Sequence, residues 1–474
     1  MQRRFITKSV LLGAFFALMM ALPIGQAFAQ GSTTSALSGT VVDEKGEGLP
    51  GATVIAVHEP TGSRYGASTR GDGRYNIVNM RVGGPYKVTV SFVGYKESVQ
   101  SGISLTLASE LRQNFKLELN QAQLEEVKVV ASRSSVINSG RTGAATTVSN
   151  SSITTLPTLN RSLGDFARLD PRANGLNFAG RNALYNNVTV DGAFFNNAFA
   201  LSPTIGGQAG ASPISVDAID QFQVLIAPYD VRQGMATGAN INVVTKSGTN
   251  DWSGSAYYFG TDQNQVGNKI GDVTNQYGNF QRGQFGGRIG GAIVKNKLFI
   301  FGSFEQELQT QPGSNFVARR AGSTAGNQSV ATVEQLESIK SLLKSKFNYD
   351  PGAYENWDKE NYSQKANVRL DWNISDKHKF NLKYNYLRSY ADISPSNSGS
   401  MSGGRAPSAA VLPFQGSLYR INNNLDSYIA ELNSTFSDKL ANNLTVGYTQ
   451  MRDFRQSPVN NTPFPTVDIG NNNL

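Results

Sequence analysis

From Trp252 to about Phe454 the chain alternates apolar and polar residues in blocks of roughly ten, a length typical of a membrane-crossing strand. Ala366, Val368, Leu370 and Trp372 oppose Asn367, Arg369 and Asp371. Phe380, Leu382, Tyr384 and Tyr386 oppose Lys379, Asn381, Lys383 and Asn385. Successive side chains of a strand point to opposite faces, so each block forms a ribbon apolar on one side and polar on the other. Seven strands are expected, at about 252–260, 281–293, 297–308, 364–373, 378–388, 426–436 and 442–454. The gaps alternate in length. Lys295-Asn296, Ser375-Asp376-Lys377 and Ser437-Asp438-Lys439 are tight, and the intervening gaps are long. A soluble antiparallel sandwich shows the same period of two but has no reason to sort its loops by parity. Short turns on one rim and long loops on the other predict an outer-membrane barrel with lipid outside and water inside.

The N-terminus fits that address. Arg3, Arg4 and Lys8 precede an apolar run from Val10 to Leu22, and Ala27-Phe28-Ala29 precedes Gln30. This is the pattern of a secretory signal peptide over 1–29, cleaved near Ala29, and the run is too short for a spanning helix. Its removal takes away three positive charges and no negative ones, so +8 falls by three to +5. That mild, dispersed charge argues against a nucleic-acid surface.

The absence of cysteine sets aside disulfides, thiolate metal sites and a lipoprotein anchor. The two histidines, His58 and His378, fall in different modules, so no catalytic, cofactor or metal residue is assigned, and an enzyme is not expected. Gly46-Glu47-Gly48-Leu49-Pro50-Gly51 matches G-x-G-x-x-G, but that fingerprint must open a helix. Pro50 and the β-branched run after it make it a turn between strands.

Residues 36–119 predict a small immunoglobulin-like β-sandwich, with strands at Leu37–Val42, Ala52–His58, Tyr75–Asn79, Tyr86–Phe92 and Arg112–Leu119. Gly-rich turns separate them, including one at Gly83-Gly84-Pro85. Ser38-Gly39-Thr40-Val41-Val42-Asp43, Leu49-Pro50-Gly51-Ala52, Gly71-Asp72-Gly73-Arg74-Tyr75 and Val93-Gly94-Tyr95 resemble the carboxypeptidase regulatory-like domain, a module without catalytic residues. Asp43 and Asp72 suit tight turns better than calcium.

Residues 120–136 form a linker containing Leu124, Glu125, Glu126, Val127, Lys128, Val129 and Val130. A β-prone run between polar segments can add itself as a strand to a partner's sheet edge. Its position resembles that of a TonB box. The other reading is a linker strand packed on the sandwich.

Residues 137–250 resemble the α/β plug of a TonB-dependent receptor. The resemblance lies in Asn187-Val188-Thr189-Val190-Asp191-Gly192, in Ile219-Asp220-Gln221-Phe222-Gln223-Val224, and in the run from Gly238 through Asn240 and Asn242 to Gly248. Where many such receptors carry Lys-Gly-Pro, this chain has Ile226-Ala227-Pro228-Tyr229-Asp230. With His58-Glu59-Pro60-Thr61-Gly62 and Arg81-Val82-Gly83-Gly84-Pro85-Tyr86, this resembles the Oar-like branch of the family.

The remaining residues, 251–474, then hold the first strands of the transmembrane barrel. Plugged transporters close at about 22 strands, so seven predict the N-terminal part of a longer protein. The resemblance implies active import across the outer membrane, with TonB and its inner-membrane proton-motive complex as partners and peptides or proteins as cargo. The alternatives are SusC-type glycan import with a surface lipoprotein, and a surface adhesion or signalling receptor that does not translocate.

Three structural expectations accompany this reading. Trp252 and Trp372 should share the periplasmic rim, where indoles favour the interface with outer-membrane lipid. Leu370 should face lipid and Arg369 the lumen, so Leu370→Arg should impair barrel assembly and Arg369→Leu should not. Thr332 and Gln335 should cap a helix reaching about Ser345, with Val333, Leu336, Ile339 and Leu343 on one face, packed on its own loop.

Overall fold

A computed structural model describes residues 32–120, 144–158, 161–226, 237–267, 269–271, 273–274, 278–323, 325–395, 404–459 and 464–469. The signal segment and the run Leu124 to Val130 lie outside these residues.

The sandwich contains β1 (Ser35–Val42), β2 (Thr53–His58), β3 (Ser63–Ser68), β4 (Arg74–Met80), β5 (Gly83–Ser91), β6 (Ser98–Leu105), β7 (Glu110–Arg112) and β8 (Phe115–Lys116). One sheet runs β4-β1-β7, with β8 also on β1, and the other runs β3-β2-β5-β6. Alternation places Leu37, Val41, Val54, Ala56, Ile77, Val88 and Val90 in the shared core. The sequence pattern misses β3 and β6. Both are edge strands with few apolar residues, as the unpaired side of an edge meets solvent. The turn expected at 83–85 instead opens β5, where Gly83 pairs with Leu105. Asp43 Oδ1 accepts from the Lys45 and Glu47 amides and Asp72 Oδ1 from that of Arg74, so both aspartates serve their turns.

The plug sheet comprises β9 (Ala144–Val148), β10 (Asn187–Val190), β11 (Ala193–Phe194), β12 (Ile219–Ile226) and β13 (Ala239–Thr245), in the order β11-β10-β13-β12-β9. Only β10 and β13 run parallel. Val188, Val190, Phe222, Val224, Ile241 and Val243 join the plug core beneath α1 (Asn150–Thr155) and α2 (Leu163–Ala167). Asn187, Thr189, Gln221, Gln223, Asn240 and Asn242 alternate with them and are also buried.

The seven expected membrane strands are all present: β14 (Ser253–Asp262), β15 (Gln281–Val294), β16 (Leu298–Pro312), β17 (Asp358–Asn373), β18 (His378–Ile393), β19 (Tyr419–Ser437) and β20 (Leu440–Gln456). They form one antiparallel sheet in chain order. Several outrun the sequence pattern at the long-loop end, where apolar alternation fades but the backbone ladder continues. Polar cross-links hold that extension: Arg420 pairs with Asp392 at 2.7 Å and with Glu360 at 3.2 Å. The second long loop carries α3 (Val333–Phe347), with Thr332 and Gln335 forming the capping box. Leu336 packs with Ala318, Tyr354 and Leu412, so the helix rests on its own loop and on the next long one.

Candidate functional site

The plug meets the barrel wall at a tight turn. Asp191 (φ +51°) and Gly192 (φ +85°) both take the left-handed conformation, which Asp tolerates and Gly adopts freely. This turn sets the Asp191 carboxylate against the start of the plug-to-barrel connection. It accepts from the Thr245 amide at 3.1 Å and the Thr245 hydroxyl at 2.7 Å. From the wall, Lys383 Nζ lies 3.4 Å away and Arg369 Nη1 lies 3.8 Å away. Arg369 also donates to the Thr245 carbonyl at 2.7 Å and grips Asp371 at 2.8 and 2.9 Å. Lys383 continues to Glu431 at 3.2 Å, which Asn381, Asn433, Asn443 and Thr33 also contact. Charges alternate along this chain, as buried ions require if they are to recover their lost hydration.

A second polar contact lies further along the wall. Glu305 is fully buried, paired with Lys365 at 2.6 Å, and accepts from Ser215 of the plug at 2.7 Å and Tyr257 at 2.6 Å. Between these polar anchors, Phe301, Leu387 and Leu425 turn inward and join the plug core. The plug is thus held by ion pairs, hydrogen bonds and a small apolar seat on the same wall.

The sandwich docks at the tight-turn rim and touches both other modules. Gln221 of the plug donates to the Leu105 carbonyl at 3.1 Å and accepts from the Leu107 amide at 2.9 Å. Gln223 donates to the Leu107 carbonyl at 2.6 Å. Val82 and Leu107 bury against Val244. Towards the wall, Arg81 pairs with Asp371 at 3.1 Å and bonds Ser247. The Asn250 amide donates to the Pro60 carbonyl at 2.7 Å, and Asn373 donates to Ser63 at 2.9 Å.

A cavity of about 500 Å³ lies where the three modules meet, lined among others by His58, Arg81, Asp220, Lys246, Arg369 and Asp371. Burial, reinforced by the Arg81 charge, brings His58 down to about 3. Burial, with Arg288 acting in the same direction, brings Lys246 down to about 8.

The described residues singled out from sequence fall in two places. Asp191, Gly192, Gly238, Asn240 and Asn242 gather in the plug sheet, where β10 and β13 pair Asn187 with Asn240 and Thr189 with Asn242. Thr189 donates to Asn242 at 2.8 Å, while neither side-chain polar atom of Asn240 finds a partner among the described residues. A side chain at Gly238 would collide with Asn186, its Cβ only 2.5 Å from Oδ1. Trp252 and Trp372 are both exposed on the outward face near the tight turns. Trp252 lies against Gly291, whose row continues through Ile300 to Leu370, two residues from Trp372. The run from Leu124 to Val130 lies outside the described residues.

Sequence reasoning missed the ion chain and the sandwich contacts. Counting from the tight turns would have found the wall part of the former, since the register sets Arg369 beside Lys383, Asp371 beside Asn381 and Asn381 beside Glu431.

Residues 36–118 match the carboxypeptidase regulatory-like domain, and residues 244–473 match an outer membrane beta barrel domain. Over 297 residues the chain is 28% identical to the TonB-dependent transporter Oar of Myxococcus xanthus, covering 59% of this chain and 27% of Oar. Among solved structures it is similar to the outer membrane transporter YddB from Escherichia coli, at 15% identity and TM-score 0.44, covering 66% of this chain and 40% of YddB. It is also similar to the siderophore receptor PirA from Acinetobacter baumannii, at 13% identity and TM-score 0.41, covering 68% of this chain and 43% of PirA. The chain spans less than half the length of each of these relatives.

Proposed function

We propose that this chain, which is similar to the TonB-dependent transporter Oar and matches a carboxypeptidase regulatory-like domain ahead of an outer membrane beta barrel domain, works as a TonB-dependent receptor that drives a ligand inward across the outer membrane. The plug closes the lumen at rest. TonB pairs with the segment from Leu124 to Val130 as an added strand and transmits the work of the inner-membrane proton-motive complex, which displaces the plug. The observation that carries this reading is the polar seat of the plug, centred on Asp191 between Lys383 and Arg369. Water can replace such contacts one at a time as a plug moves, so the net cost of each is small compared with its strength when made. Peptides or proteins are the cargo favoured, on the resemblance to the Oar-like branch.

The test compares a deletion strain, a strain lacking TonB and their parent for growth on defined peptide, glycan and iron sources, with a fluorescent peptide followed across the envelope. Loss of peptide uptake in both mutants supports the proposal. Loss of growth on glycans alone would favour the SusC-type reading, and normal uptake without TonB would favour an adhesin. Peptide accumulating in the periplasm of the deletion strain would reverse the direction.

A further inference from the structure

We propose that the N-terminal sandwich is a latch that holds the plug on its seat and must let go before the plug opens. This rests on the plug being the moving part, as the proposed function requires. The inference comes from what the sandwich bridges. On one side the corner that follows β6 is bound to plug strand β12 through the buried amides of Gln221 and Gln223, each pairing with main-chain atoms of Leu105 or Leu107. Both glutamine side chains are buried and have little room to follow a moving strand, so β12 cannot slide without breaking these bonds. The adjoining apolar contact of Val82, Leu107 and Val244 excludes water from the joint.

On the other side the sandwich is fixed to the wall. Arg81 pairs with Asp371, Ser63 bonds Asn373, the Arg64 carbonyl accepts from Lys379 at 3.0 Å, and Asn79 donates to the Asn442 carbonyl at 3.1 Å. These partners stand on β17, β18 and β20, so the grip spans three of the four last barrel strands. Arg81 also completes the buried charge chain, because Asp371 shares Arg369 with Asp191. Undocking the sandwich leaves Asp371 drawing more heavily on Arg369, which weakens the hold of the wall on Asp191. Docking and plug retention are thereby coupled in both directions, as linkage demands.

The experiment uses the full-length protein in a strain without TonB, so it does not depend on the import reading. The probe is vancomycin, a hydrophilic antibiotic too large for ordinary outer-membrane diffusion, together with conductance in planar lipid bilayers. Arg81→Ala with Gln223→Ala should lower the inhibitory concentration of vancomycin at least fourfold and raise conductance. Gln223→Ala alone, which leaves every ion pair in place, should give a smaller change in the same direction. The chain has no cysteine, so Val82→Cys and Val244→Cys can be added cleanly to the leaky variant. Oxidation should re-dock the sandwich and restore the parental values, and a reducing agent should reopen the leak. Unchanged vancomycin sensitivity and conductance in a variant whose sandwich has become protease-accessible would overturn the latch. So would a leak that oxidation fails to close, since that would place the fault in a misfolded plug.

Discussion

Lys383 Nζ of the barrel wall lies 3.4 Å from Asp191 Oδ1 of the plug, and both side chains are withdrawn from water. A buried pair of this kind is costly to break from one side, because Asp191 keeps its desolvation penalty and loses the nearer of its two cations, with Arg369 remaining at 3.8 Å. Lys383→Met should loosen the plug by roughly 3–5 kcal/mol, and adding Asp191→Asn should recover much of that loss. Urea-induced release of the plug from the folded barrel, followed by protease accessibility, measures both. Additive losses in the double variant would show that the two groups do not act as a pair.

Leu370→Arg should impair barrel assembly. Leu370 lies on the outward face, and a charge facing lipid near mid-membrane costs roughly 2–4 kcal/mol. Heat-resistant migration of the folded barrel reports the defect. Arg369 has a role beyond the wall itself. It faces the lumen side, but it is buried and bonds Asp371 and Thr245 while facing Asp191. Arg369→Leu should therefore leave the barrel folded but release the plug at lower urea concentration than in the parent.

Val127→Pro should abolish energy-dependent uptake while surface binding and protein level persist, because proline removes a main-chain donor from an added strand. Glu126→Gln should have little effect. Uptake of the fluorescent peptide and its binding to de-energised cells separate the two properties. Loss of binding together with uptake would make the segment a structural linker strand instead.

Sandwich stability should fall with acidity through His58. Its folded value of about 3 lies below the ordinary value near 6.5, so the unfolded chain binds the proton more readily. The contribution is complete above about pH 6.5 and is lost as pH falls towards 3, at up to about 1.4 kcal/mol per unit. Thermal unfolding of the sandwich, read by protease sensitivity at pH 7 and pH 5, should show a lower midpoint at pH 5. His58→Gln should flatten that difference. An equal fall in both proteins would place the titration elsewhere.

The barrel strands were legible because lipid and lumen impose opposite demands on alternate residues, and Leu370 and Arg369 obey them. Where the lumen is filled, the rule breaks: Leu387 and Leu425 are apolar on the inward face because the plug core packs there. No local pattern could have shown this, since the reason lies more than a hundred residues earlier in the chain. The same limit hid Arg81, Gln221 and Gln223. Each reads as an ordinary polar residue of its own module, and its partner belongs to another. Asp191 was legible only as part of a motif, and its role became physical once Lys383 stood beside it.

Strand β9 is the outermost strand of the plug sheet, antiparallel to β12 and paired from Ala144–Ile226 to Val148–Phe222. The chain enters it at Ala144, directly from the segment that includes Val127. A tension transmitted along that segment and directed away from the sheet loads the first pair before the others, like a zipper opened from its end. The force needed is then that of one rung at a time rather than of the five rungs together, each worth only about 1 kcal/mol net. A modest pull sustained over a long stroke does what a strong pull in the plane of the sheet could not. Under the pull proposed for TonB, the placement of β9 makes it the first element of the plug sheet to yield.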